Sequence, residues 1–127
     1  MWYSIFMANH LMNVYRLEND VQYDYVIRCR MDAYMNRSVY CKDLSLDRIW
    51  VAHQRPIPHQ VDDWFAIGSV ANMNVYSSMF NFIDWSNKVS HERDGYCANE
   101  HLLYNLLERL QVKTEVLPMF TMDFIRP

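Results

Sequence analysis

The sequence predicts a mixed α/β domain, a sheet flanked by helices, and three observations carry that prediction. Short β-branched and aromatic runs alternate with longer stretches of helical spacing. Half of the chain is hydrophobic, 51%, and 15% is aromatic, so the material for a real core is present. No repeat, low-complexity stretch or linker divides the 127 residues, so they read as a single domain over 1–127.

The elements follow in order. Ile5, Phe6, Asn9, Leu11, Met12 and Tyr15 repeat at helical spacing, with Asn13, Arg16 and Glu18 among the polar fillers. They predict an amphipathic helix over 2–18, ended by the turn formers Glu18, Asn19 and Asp20. Asp24–Arg30 is β-branched and aromatic and predicts a strand. Arg48–Ala52 predicts a second strand, and the segment 53–61, with Pro56 and Pro58, predicts a loop. Asp63–Ser69 predicts a third strand, closed by Gly68. Val70–Phe82 is helical by its stripe Val75, Met79 and Phe82. Trp85–Tyr96 is polar and contains Gly95, which predicts a loop. Asn99 is a fitting N-cap for a helix to Gln111, with Leu102, Leu103, Leu106, Leu107 and Leu110 as its buried stripe. Val112–Leu117 and Phe120–Ile125 read as closing strands around Pro118.

Charge and cysteine content exclude several classes. The net charge of -3, with basic residues scattered among acids, leaves no electrostatic footprint for nucleic acid. Cys29, Cys41 and Cys97 are odd in number and irregularly spaced, which predicts reduced thiols in a cytoplasmic protein rather than disulfides or a zinc site. The apolar stretch at residues 1–8 is too short for a membrane span and has no basic leader. The two glycines, Gly68 and Gly95, cannot supply a phosphate-binding glycine loop, and no H-E-x-x-H occurs.

Chemistry concentrates in Arg28-Cys29-Arg30-Met31-Asp32. A strand that leaves its apolar pattern at its carboxyl end is placed to face a ligand. In extended chain Arg28, Arg30 and Asp32 point to one face. Two guanidiniums and a carboxylate suit a diphosphate together with Mg²⁺ or Mn²⁺. The same pattern equally suits a structural Arg–Asp–Arg network capping a sheet. Asp62 and Asp63 offer a base or hydroxyl ligands, or a solvated turn. Glu100 sits in the first turn of a helix, where the dipole alone favours an acid. His101 reads as a surface residue, Trp50 and Trp64 as core, and the methionines as core filler.

Four segments in order resemble motifs of GT-A-fold glycosyltransferases of bacteria and viruses, lipopolysaccharide-synthesis types included. Tyr23–Asp32 is similar to their YDxVIRxRxD strand, with Ser4, Ala8, Asn9 and Leu11 in the preceding helix. Asp62–Ser69 is similar to a DxFAxGS strand, and Asn99-Glu100-His101-Leu102-Leu103 to the start of a later helix. Phe124-Ile125-Arg126-Pro127 is similar to the closing residues. The resemblance implies a GT-A-like fold and sugar transfer from a nucleotide-diphosphate sugar to a glycan or other hydroxyl acceptor. Arg28 and Arg30 then take the donor diphosphate, Asp32 takes the metal (Mn²⁺ or Mg²⁺), and Asp63 or Glu100 acts on the acceptor. Arg30 stands where the first acid of the D-x-D metal motif is usual. The chain opens after the family's nucleotide-binding βαβ half. An open sheet edge and self-association into a homo-oligomer are therefore expected. A non-catalytic remnant or binding and assembly module on the same fold is the alternative.

Overall fold

The computed structural model describes residues 1–35, 38–53, 58–117 and 122–124. Within them the chain is α/β, with a four-stranded mixed sheet, a separate two-stranded pair and helices packed on the sheet.

Helix α1 spans Trp2–Glu18, matching the spacing that predicts it. It lies largely at the surface, with Trp2 its one buried residue. Asn9 and Asn13 anchor it by donating to Asn74 Oδ1, at 2.9 and 2.8 Å. Strand β1 is Val26–Cys29, and a short strand β2, Ala33–Met35, follows it unforeseen in the sequence. Strand β3 is Arg48–Val51 and β4 is Phe65–Gly68. Residues 54–57 of the expected loop lie outside the described residues. Helix α2 is Val70–Ser77, capped by Ser69, whose Oγ accepts from the Asn72 N–H at 3.3 Å. It tightens into a 3-10 helix over Ser78–Phe82 where one longer helix was expected.

The polar segment expected to be a loop is instead helix α3, Ile83–Asp94. Its sequence lacks an apolar stripe because its buried contacts are serines. Ser86 and Ser90 are fully buried, and small residues let two helices approach closely. Helix α4, Asn99–Arg109, answers with Asn105, whose amide donates to Ser86 O, Ser86 Oγ and Ser90 Oγ at 2.9–3.1 Å. Ser86 Oγ donates in turn to the Leu102 carbonyl at 2.9 Å. Gly95 ends α3 in the left-handed region, φ 74°, which a glycine adopts without strain. The N-cap of α4 is Ala98 rather than Asn99; Asn99 instead accepts from Trp2 Nε1 at 3.2 Å.

Strand β5, Lys113–Val116, closes the sheet in the order β1-β4-β3-β5. β1 and β3 pair antiparallel with β4, and β3 pairs parallel with β5. Strand β6, Met122–Phe124, pairs with β2; the other residues expected in that closing strand lie outside the described residues, as do 125–127 of the closing motif.

All of β4 is buried, so it separates two cores. On the helical face Ile49, Val51 and Ala66 meet Met73, Tyr76, Met79, Leu103 and Leu106. On the other face Trp50, Phe65 and Ile67 meet Leu44 and Leu117. Leu102, Leu103, Leu106 and Leu107 form the expected stripe, but Leu110 is 44% exposed, because α4 ends before it. Leu106→Ala is therefore expected to cost about 2–5 kcal/mol in urea unfolding. Leu110→Ala is expected to change stability by less than about 0.5 kcal/mol in the same measurement.

Candidate functional site

The pairing of β1 with β4 gathers side chains that lie far apart in the sequence. Val26 and Arg28 share a face with Ala66, so Arg28 turns toward the helical layer. There its charge bears on the hydroxyl of Tyr76 in α2, a residue with no exposed surface. Burial pushes the Tyr76 phenol well above its ordinary value; Arg28 pulls it down, and Asp63 and Asp62 push it up. Arg28, Tyr76, Asp62 and Asp63 thus sit within electrostatic reach of one another. Arg28 Nη1 and the Tyr76 hydroxyl are both buried and meet no hydrogen-bond partner among the described residues.

Asp62 and Asp63 lead into β4 and are 0% and 3% exposed, which replaces a solvated turn with two buried acids. Asp62 Oδ1 accepts from the Trp64 N–H at 3.4 Å, the local turn an aspartate favours. The Val61 N–H donates to the Glu100 carbonyl at 3.2 Å, tying this segment to the first turn of α4. A second tether lies just upstream, where His59 Nδ1 donates to Asp94 Oδ1 at 3.1 Å and its ring lies tilted against that of Tyr104, with centroids 5.3 Å apart.

Arg30 follows the end of β1. Its N–H donates to the Trp64 carbonyl at 3.1 Å, extending the ladder by one bond. Its Nε and Nη2 grip Asp32 Oδ1 and Oδ2 at 2.9 and 2.7 Å, a planar fork on a carboxylate. The hydrogen bonds that Arg30 donates to Asp32, with the charges of Asp32, Asp63 and Glu100, raise Arg30 above its ordinary value against desolvation. Of the five residues singled out in the sequence, Arg30 and Asp32 are in contact, the charges of Asp63 and Glu100 bear on Arg30, and that of Arg28 bears on Asp32. Asp32 is the outermost, 53% exposed.

The residues present do not fit a divalent cation as they stand. Both Asp32 oxygens are taken by Arg30. No group of three His, Cys, Asp or Glu side chains is placed to hold a metal among the described residues.

His101, expected at the surface, is fully buried. It lies four residues before Asn105, so the two form a polar seam beside the leucine stripe of α4. Its Nδ1 is 3.5 Å from Gln60 Nε2, and the Tyr96 ring meets it edge-on at 4.9 Å. Tyr76 was not legible as a site residue. Its spacing of three from Met73 and Met79 marks it as core, and only the fold sets its hydroxyl beside Arg28.

Two hollows border this cluster. A groove of about 670 Å³ runs between α1 and β1, with Arg28 in its wall. A polar cavity of about 350 Å³ opens at the carboxyl ends of the parallel pair β3 and β5, lined by His53, Gln60, Asp62, Thr114 and Glu115. Cys29, Cys41 and Cys97 are free thiols. Among the described residues no helix is long and apolar enough to cross a membrane. No protein-family model, curated protein or solved structure matches this chain.

Two measurements check this arrangement. Tyr76→Phe removes a buried hydroxyl without a partner, so it is expected to leave stability unchanged or raise it, within about 1 kcal/mol, in urea unfolding. A loss above about 2 kcal/mol would show that the hydroxyl is bonded. The second concerns acid. Hydrogen bonds from Arg30 hold the Asp32 carboxyl below its ordinary 3.8, against a slight desolvation. A depressed folded value means that the pair stabilises above the unfolded carboxyl's range and stops doing so as pH falls through the folded value. A carboxyl NMR titration is expected to place the Asp32 midpoint below 3.8, and Arg30→Gln to move it upward.

Proposed function

We propose that this domain binds a nucleotide-diphosphate sugar and transfers its sugar to a hydroxyl acceptor, on a GT-A-like fold. The observation that carries the reading is the convergence of two guanidiniums, Arg28 and Arg30, with the buried acids Asp62 and Asp63 and with Glu100. Phosphate oxygens supply the acceptors that Arg28 Nη1 lacks among the described residues. A diphosphate also competes with Asp32 for the Arg30 fork. Negative charge grows on the leaving nucleotide as the glycosidic bond breaks, and two fixed cations favour that charge where it develops. Asp63 or Glu100 orients the acceptor hydroxyl and takes its proton. The polar cavity beside Asp62 has room for a sugar unit and the hydroxyl, amide and carboxylate partners that sugars bond.

The mutual pairing of Arg30 with Asp32 favours a second reading, a binding module that holds the donor or a partner without turnover. Release of free nucleotide from a donor separates the two.

Thermal shift and calorimetry with UDP-, GDP- and CMP-sugars, with and without Mn²⁺, test the reading. One nucleotide class is expected to raise Tm. Arg28→Ala and Arg30→Ala are each expected to weaken it by about tenfold or more, the worth of a charged hydrogen bond. Asp63→Asn is expected to spare donor binding and reduce transfer. Binding that appears only with Mn²⁺ and vanishes in Asp32→Asn would place a metal at Asp32 instead. No stabilisation by any donor would end the proposal.

A further inference from the structure

The groove between α1 and β1 has two unlike walls. One is a stripe of α1 that includes Ile5, Ala8 and Met12, mostly apolar, with Met73 nearby. The other is β1 itself, since Val26, Ile27, Arg28 and Cys29 all line it in succession. Among the described residues β1 is the end strand of its sheet and pairs on one side only. The Arg30 N–H bonds to Trp64, so by the alternation of an antiparallel ladder Arg28 and Val26 also turn their backbone groups to β4. The N–H and C=O groups of Ile27 and Cys29 therefore turn the other way, to the open side where the groove lies.

That wall selects the occupant. An acyl chain would fill the apolar stripe but bury two amide groups and two carbonyls without partners, which opposes binding. An extended peptide satisfies them by ladder bonds and lays alternate side chains against α1, the mode of strand addition to a sheet edge. Arg28 adds a charge preference. It lines the groove, and its buried Nη1 meets no acceptor among the described residues. We propose that the groove between α1 and β1 docks an extended strand of a partner polypeptide. That strand is apolar toward α1 and carries one Asp or Glu set against Arg28. The docking site shares Arg28 with the sugar-transfer reading but does not rest on it.

Selection of random peptides of about nine residues, the length of a long strand, against the full chain supplies the probe. The selected peptides are expected to contain an acid and to slow amide hydrogen exchange at Ile27 and Cys29, while the Arg28 amide, already turned to β4, changes little. N-methylation of alternate peptide amides is expected to weaken binding by about tenfold or more. Peptide Glu→Gln and Arg28→Gln are expected to weaken it similarly, and together no further than either alone. Ala8→Trp fills the groove from an exposed helix position. With its circular dichroism and Tm preserved, it is expected to abolish peptide binding and to leave nucleotide-sugar binding intact, so the two readings fail separately. The proposal is overturned if no selected peptide protects Ile27 and Cys29, or if N-methylated peptides bind as well. It is also overturned if palmitate occupies the groove in preference to peptide, or if those amides become protected by raising the protein concentration alone, which assigns the edge to a second copy.

Discussion

The antiparallel register of β1 on β4 is the constraint from which the rest of the site follows. It sets Arg28 across from Ala66 and brings the Arg30 N–H to Trp64, so both guanidiniums start beside the acids that lead into β4. A slip of one residue would send Arg28 to the opposite face and turn Ile27 and Cys29 toward the helices. The register is held from both sides, because β4 is buried throughout and its alternate residues belong to separate cores. Ala66, across from Arg28, belongs to the same core as Tyr76, whose hydroxyl feels the charge of Arg28. The apolar cores thus determine where the charges go.

This arrangement asks the fold to tolerate polar groups in its interior. Two adjacent carboxylates, a phenol and part of a guanidinium share a region from which water is largely excluded. Opposite charges close by offset the desolvation of each, and removing one partner leaves the rest more costly. The α3–α4 contact solves a similar problem without charge. The Asn105 amide N–H groups are taken up by Ser86 and Ser90 across a close helix approach, and the leucine stripe beside them supplies the apolar area. Two kinds of buried polarity therefore coexist: a neutral one whose donors are satisfied, which fixes helix packing, and a charged one with donors left over, which faces the hollows.

Legibility in the sequence tracked the physics of each element. β3, β4 and the leucines of α4 announce themselves because pattern and burial coincide, whereas α1 is legible by its spacing alone, with Trp2 its one buried residue. α3 does not, since its buried positions are serines and its exposed ones are charged, so no apolar period exists to be read. β2 is three residues long and depends on a partner some ninety positions away, information that local pattern does not contain. Among site residues, Arg28, Arg30 and Asp32 stood out by breaking an apolar run, and Asp63 and Glu100 by their place at the start of elements. That Arg30 and Asp32 would pair with each other, while Arg28 keeps a buried Nη1 without a partner among the described residues, was set by strand length: β1 ends at Cys29, and the turn that follows folds Asp32 back onto Arg30. His101 was misread because a histidine beside a glutamate in a first helical turn looks solvated, whereas the helix phase turns it inward with Asn105.

Arg28 ties the two hollows together. It stands in the wall of the apolar groove, and its charge reaches the Tyr76 hydroxyl together with those of Asp62 and Asp63. A buried guanidinium N–H without an acceptor is costly, on the order of 1–3 kcal/mol, and any anion that supplies one recovers that cost. A phosphate approaching from the acid cluster and a peptide carboxylate lying in the groove would recover the same free energy, and only the first to arrive gains it. Linkage then requires the two ligands to oppose each other by equal factors, whichever is added first. A single unsatisfied charge between a polar pocket and an open strand edge is thus enough to make partner docking and anion binding antagonistic, with no movement of the backbone.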